Sequence, residues 1–188
     1  MKLPGPGPTL QLPCHPATPA GVCLSVSVAA SVTATGLRLV YTVAGNIAEL
    51  QIPRATAPSQ ADGLWQHTCL EAFVATEGDH AYREFNFSPS GQWAIYDFAR
   101  ERVRSSEGID VAVSPIFQTS FGQDQFTLTT DLAWVVLPAR GSALCLGLSA
   151  VIEEANGQLS YWALTHPGER PDFHHPASRM LRLLLPEN

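Results

Sequence analysis

The chain has 188 residues, enough for one domain around one substantial core, and 45% of them are hydrophobic. Charged residues make up only 15% and the net charge is −6, which excludes the phosphate-neutralising surface that nucleic-acid binding rests on. A surface this poor in charge must be built from Ser, Thr, Gln, Asn, Gly and Pro, a palette suited to strands and turns.

Pro4, Pro6, Pro8, Pro13, Pro16 and Pro19 crowd the start of the chain. Residues 1–19 are therefore expected to run extended and strap over the surface of a domain formed by residues 20–188. These prolines leave no continuous apolar run for a secretion signal, and no stretch nears the roughly 18 apolar residues of a membrane span. A cytoplasmic location with no membrane partner is expected. Cys14, Cys23, Cys69 and Cys145 form no CxxC pair. Cys69 and Cys145 sit in apolar runs, where free cysteine behaves as a small hydrophobe.

From Val22 onward, period-two alternation predicts short strands. VCLSVSVAASV sets Val22, Leu24, Val26 and Val28 against Cys23, Ser25 and Ser27, and LRLVYTV sets Leu37, Leu39 and Tyr41 against Arg38, Val40 and Thr42. Gly45-Asn46 is expected to turn a hairpin into IAELQI. CLEAFVAT, YREFNF, QWAIYDF, IDVAVSPI, FTLTTDL, LCLGLSAVI, LSYWAL and MLRLLL continue the series, with one short helical turn expected within 131–137. Arg100-Glu-Arg102-Val-Arg104 reads as a solvated strand or turn. About eleven short strands separated by turn signals predict an all-β, antiparallel β-sandwich or barrel. An edge strand of such a sheet leaves room for a homodimer.

The densest chemistry lies between Leu64 and Phe98. Pro89-Ser90-Gly91 makes a turn joining EFNF to QWAIYDF. Phe85 and Phe87 share one face of their strand, Glu84 and Asn86 the other. Glu71 shares a face with Cys69, Phe73 and Ala75, and a carboxylate on a half-apolar face needs a cation or a donor. Two readings stay open: a structural ion pair with Arg83, Arg38 or His67, or a ligand groove in which Glu71 binds hydroxyls.

LWQHTCLEAFV, then Y-R-EFNFSPSG, then FTLTTDLAW and finally YWALTHPGERPDFHHP resemble the DOMON-like β-sandwiches, related to family-9 carbohydrate-binding modules, over nearly the whole chain. The resemblance implies a jelly-roll-like sandwich of two antiparallel sheets that binds a small ligand and is not an enzyme. Its sugar-binding members clamp a terminal sugar between two aromatic rings, with acids, amides and arginines on the hydroxyls. Trp65 and Glu71 match the first aromatic and the acid after it, and the second aromatic is Trp162 or Phe173. Haem-binding members use a Met–His pair. This chain has only Met1 and Met180, the latter in an apparent core strand, so no cofactor is expected.

The loop THPGERPDFHHP admits four readings. His166, His174 and His175 could hold a metal with Asp172 or Glu169, giving a metal-dependent hydrolase. Asp172 could orient a histidine as a general base, though no nucleophile stands in a recognisable setting. The loop could merely cap the sandwich, as would suit a structural or protein-interaction domain with a filled groove. Or its rings and polar groups could hold a small molecule, most simply a sugar or sugar conjugate. The ligand set expected on this last reading is Trp65, Glu71, Arg83 and Asn86 from the central motif. Trp162, His166, Asp172, Phe173 and His174 complete it from the loop region.

Overall fold

Alternating side chains can satisfy two faces at once only on a pleated strand, and the chain obeys this nearly throughout. A computed structural model describes residues 7–105, 114–138 and 143–185. In chain order the strands are β1 (Thr9–Leu12), β2 (Cys23–Val32), β3 (Gly36–Gly45), β4 (Ser59–Gln60), β5 (Cys69–Thr76), β6 (Tyr82–Phe87) and β7 (Gln92–Arg100). They continue with β8 (Val103–Arg104), β9 (Ile116–Phe121), β10 (Gln125–Ala133), β11 (Ala143–Glu153), β12 (Leu159–Ala163) and β13 (Leu181–Leu184). One sheet has five strands in the order β1-β2-β3-β10-β9. The other has eight, ordered β12-β11-β5-β6-β7-β4, with β13 also on β11 and β8 on β7. Apart from the short parallel β4–β7 contact, every pairing between these strands is antiparallel. The expected all-β antiparallel sandwich is the observed one.

The core fills the space between the sheets. Val26, Val28, Leu37, Leu39, Val43 and Leu128 face Leu70, Val74, Phe85, Phe87, Leu146 and Leu148, all buried. Tyr41 brings a hydroxyl into this core. Its hydroxyl crosses the core from β3 and donates to the main-chain carbonyl of Glu71 on β5, at 2.7 Å. The bond fixes the middle of β5 against the opposite sheet. Tyr41→Phe is expected to lower unfolding free energy by about 1–2 kcal/mol, the scale of one buried hydrogen bond, as read from denaturant melts.

Three details depart from the sequence reading. Gly45-Asn46 does not open a hairpin: residues Ile47–Glu49 wind into a 3-10 turn, with Asn46 Nδ2 donating to Glu49 Oε1 at 2.6 Å. A bulge between Cys23 and Ser25 shifts the phase of β2, so Cys23 is buried and Leu24 is exposed. Met180 is not core but 61% exposed, one residue before β13. The short helical turn expected within 131–137 is present as the 3-10 turn Trp134–Val136. Most of the IDVAVSPI strand lies outside the described residues, as do residues 1–6 and with them Met1. The Pro-rich start, where described, contributes β1 to the five-stranded sheet. It then crosses to the other sheet, where the His15 N–H donates to the Tyr161 carbonyl at 2.7 Å. Gly91 completes its turn at φ +100°, a conformation open to glycine.

Candidate functional site

The face of the eight-stranded sheet turned away from the core forms a groove. Strand parity sends Leu70, Ala72 and Val74 inward and Glu71 and Phe73 outward. On β6 it sends Phe85 and Phe87 inward and Glu84 and Asn86 outward. Ser149 on β11 stands opposite Glu71, and Tyr161 on β12 opposite Val151. The resulting cavity, about 560 Å³, has Glu71, Phe73, Glu84 and Val151 on its floor and flank. Trp65, Tyr161, Pro171, Phe173 and His174 wall it, with Phe98, Arg102 and Arg104 at one end.

The floor is acidic and desolvated. Glu71 is 2% exposed, faces Asn86 across the strands and is diagonal to Glu84. Burial, and then the charge of Glu84, push its carboxyl well above the usual carboxylate range. One Glu71 oxygen accepts a long 3.5 Å bond from Ser149, and the other has no partner among the described residues. Glu84 is also raised by burial. It is partly relieved by Asn86, whose amide donates to it at 2.7 Å, and by Arg104 and Arg102.

The histidine-bearing loop forms a wall of this groove. Asp172 Oδ1 accepts the main-chain N–H of His174 at 3.0 Å and a guanidinium N–H of Arg102 at 2.7 Å. Phe173 packs against Tyr161 and Phe73, at 6.0 and 6.4 Å between ring centres. His174 Nδ1 is 2.7 Å from the Tyr82 hydroxyl, while its Nε2 is 3.8 Å from Glu84. Burial and the neighbouring arginines bring His174 down to about 4, so it is neutral near pH 7. The opposite rim is Trp65, 36% exposed on the 3-10 turn Leu64–Gln66 and edge-on to Tyr96 at 5.7 Å.

Trp65, Glu71, Phe173 and His174 of the expected set line this cavity, with Asn86 beside Glu84 on the same face and Asp172 bracing the wall. Three others lie elsewhere. Trp162 alternates with Tyr161, so its indole enters the core, 5% exposed, and donates to Ser160 Oγ. Arg83 points off the other face of β6, where it pairs with Asp97 at 2.7 Å and donates to the Val136 carbonyl. His166 Nε2–H donates to the Pro13 carbonyl at 2.8 Å, and the ring packs against His15, tying the loop to the N-terminal strap.

The structural ion pair weighed for Glu71 is absent among the described residues. Arg83 is held by Asp97, Arg38 by Asp131 and His67 by Glu153. Nor do the histidines converge on an ion: His166 is at Pro13, His174 in the groove and His175 accepts the Ala177 N–H. Among the described residues no cluster of three or more His, Cys, Asp or Glu could hold a metal. Arg102 and Arg104, read from the sequence only as part of a solvated strand or turn, line the groove. They belong to the turn and short strand after β7, where pairing sets Arg104 opposite Phe98 and over the ring of Tyr96. The alternation of Tyr96 and Phe98 was the available signal.

No family model matches the chain, and no curated protein matches it either. Solved structures do. A candidate carbohydrate-binding protein from Bacteroides uniformis ATCC 8492 is similar over 90% of this chain and 83% of its own, with a TM-score of 0.71 at 20% identity. A family-9 carbohydrate-binding module from Caldicellulosiruptor kristjanssonii in complex with glucose gives a TM-score of 0.53 at 10% identity, covering 87% of this chain and 78% of that one. In complex with cellotriose the figures are 0.51 and 10%, covering 82% and 72%. The chain has the fold of these modules. At such identities the likeness is one of fold, and the site must be argued from its own side chains.

Proposed function

We propose that this protein is a distant, DOMON-like relative of the family-9 modules and binds a carbohydrate in the groove of its eight-stranded sheet, without catalysing a reaction on it. The observation that carries the reading is the unpartnered oxygen of Glu71 at the floor of an open, ring-walled cavity. A buried carboxyl without a partner is costly unless a ligand completes it. Sugar hydroxyls would do so, while Trp65, Tyr161 and Phe173 offer flat faces to the ring's C–H groups. A volume of about 560 Å³ suits one or two sugar units better than it suits a groove filled for a structural role. The glucose and cellotriose bound by the Caldicellulosiruptor kristjanssonii module support the same class of ligand.

Glycoside cleavage is not favoured by the geometry. Catalytic carboxyls flank the scissile bond from two sides. Here Glu71 and Glu84 both rise from one floor, on adjacent strands. Tryptophan fluorescence during titration with mono- and disaccharides and nucleotide sugars tests the proposal. A saturable shift is expected, and a flat response across the panel at millimolar sugar would reject it.

A further inference from the structure

Among the described residues no cation is committed to Glu71 at the groove floor. Arg38, Arg83 and His67 are each committed to another carboxylate. Arg102 is shared with Asp172, and Arg104 lies over Tyr96 at 4.1 Å from the ring centre. Both arginines act on Glu84, and the charge acting on Glu71 is that of Glu84 itself. His174 stands 3.8 Å from Glu84, beyond a good hydrogen bond, and is neutral near pH 7. The other titratable groups around Glu71 are Cys69 on its own strand, Tyr41 beneath it and Tyr161 on β12. Burial holds the proton on each of the three.

A neutral hydroxyl would give Glu71 a hydrogen-bond partner but leave its ionisation suppressed by burial and by the charge of Glu84. A cation would answer both. The same cavity is lined by the rings of Phe73, Tyr161 and Phe173, whose faces also favour cations.

Resting on the sugar-groove reading, we propose that the ligand is an amino sugar, whose protonated amine is seated between Glu71 and Glu84. The charge balance then closes inside the site: the ammonium supplies donors to the unpartnered oxygen of Glu71 and to the carboxylate of Glu84. Binding favours the ionised form of Glu71, so a proton passes from its carboxyl to the buffer as the amine enters.

Calorimetric titration of the full chain with D-glucosamine, D-glucose and N-acetyl-D-glucosamine at pH 7 tests this. Glucosamine is expected to bind at least about tenfold tighter than the two neutral sugars, the scale of a close charge pair. Its heat should change with the ionisation enthalpy of the buffer, and the heat of glucose should not. In Glu71→Gln the preference for glucosamine should collapse. The wild-type comparison of the three sugars stands on its own should that variant fold poorly. Equal binding of glucose and glucosamine would overturn the amine assignment and leave a sugar groove intact. Binding of none would end the sugar reading and this one with it.

Discussion

Trp65→Ala is expected to abolish detectable sugar binding while leaving the protein nearly as stable as before. The indole stands on a short 3-10 turn at the groove rim, about a third exposed, and its main ring contact is an edge-on approach to Tyr96. Removing a rim ring leaves no cavity in the core, so the loss of stability should stay within roughly 1 kcal/mol. The loss in binding should be larger, because flat aromatic anchors are where recognition energy concentrates. A deficit of about 2 kcal/mol or more, some thirtyfold in affinity, would take a weak sugar complex below detection. Trp162→Ala provides the contrast. That indole lies in the core, and truncation there should cost about 3–5 kcal/mol. Thermal melts and fluorescence titration of the two variants separate the roles. Unchanged affinity in Trp65→Ala would remove that rim from the site, and a loss of several kcal/mol would place the ring among the core supports.

The contrast between the two tryptophans also shows what the sequence makes legible. Alternation fixes which residues share a face, so the outward placement of Glu71 with Phe73, and of Glu84 with Asn86, could be read from CLEAFV and EFNF. It does not say which face is the core when both carry aromatics. In LSYWAL either Tyr161 or Trp162 could have faced the groove, and only pairing with β11 decides it. Arg83 failed for a related reason. Its neighbours Glu84 and Asn86 are polar, but parity puts it with Phe85, at the margin of the core face, where Asp97 directly across β7 captures it. The bulge in β2 and the 3-10 turn after Gly45 are local breaks in period that no alternation reveals. Long-range partners were illegible throughout: the Tyr41 hydroxyl reaches Glu71 across thirty residues of sequence and the width of the core.

The acidic floor makes a second prediction, on stability instead of binding. A carboxyl whose folded-state pKa lies above its unfolded value binds its proton more tightly in the folded state. Through the interval between the two pKa values the folded protein therefore carries the extra proton, and stability falls as pH rises. Glu71 is such a group, raised by burial first and by Glu84 second. Its cost is absent below the ordinary carboxylate pKa, about 4.3, and grows with pH until the folded-state pKa is passed. Glu71→Gln removes the ionisable proton while keeping the shape, and its amide can donate toward Glu84. The variant is expected to match the wild type near pH 4 and to exceed it by roughly 1–3 kcal/mol at pH 8, the range for an unsatisfied buried polar group. Urea melts across that pH range measure the gap. A gap that does not grow with pH would mean that Glu71 meets a partner in solution even without ligand, and the strain assigned to the groove floor would be wrong. A widening gap would identify a residue held at the expense of the fold, the pattern of a side chain retained for what it binds.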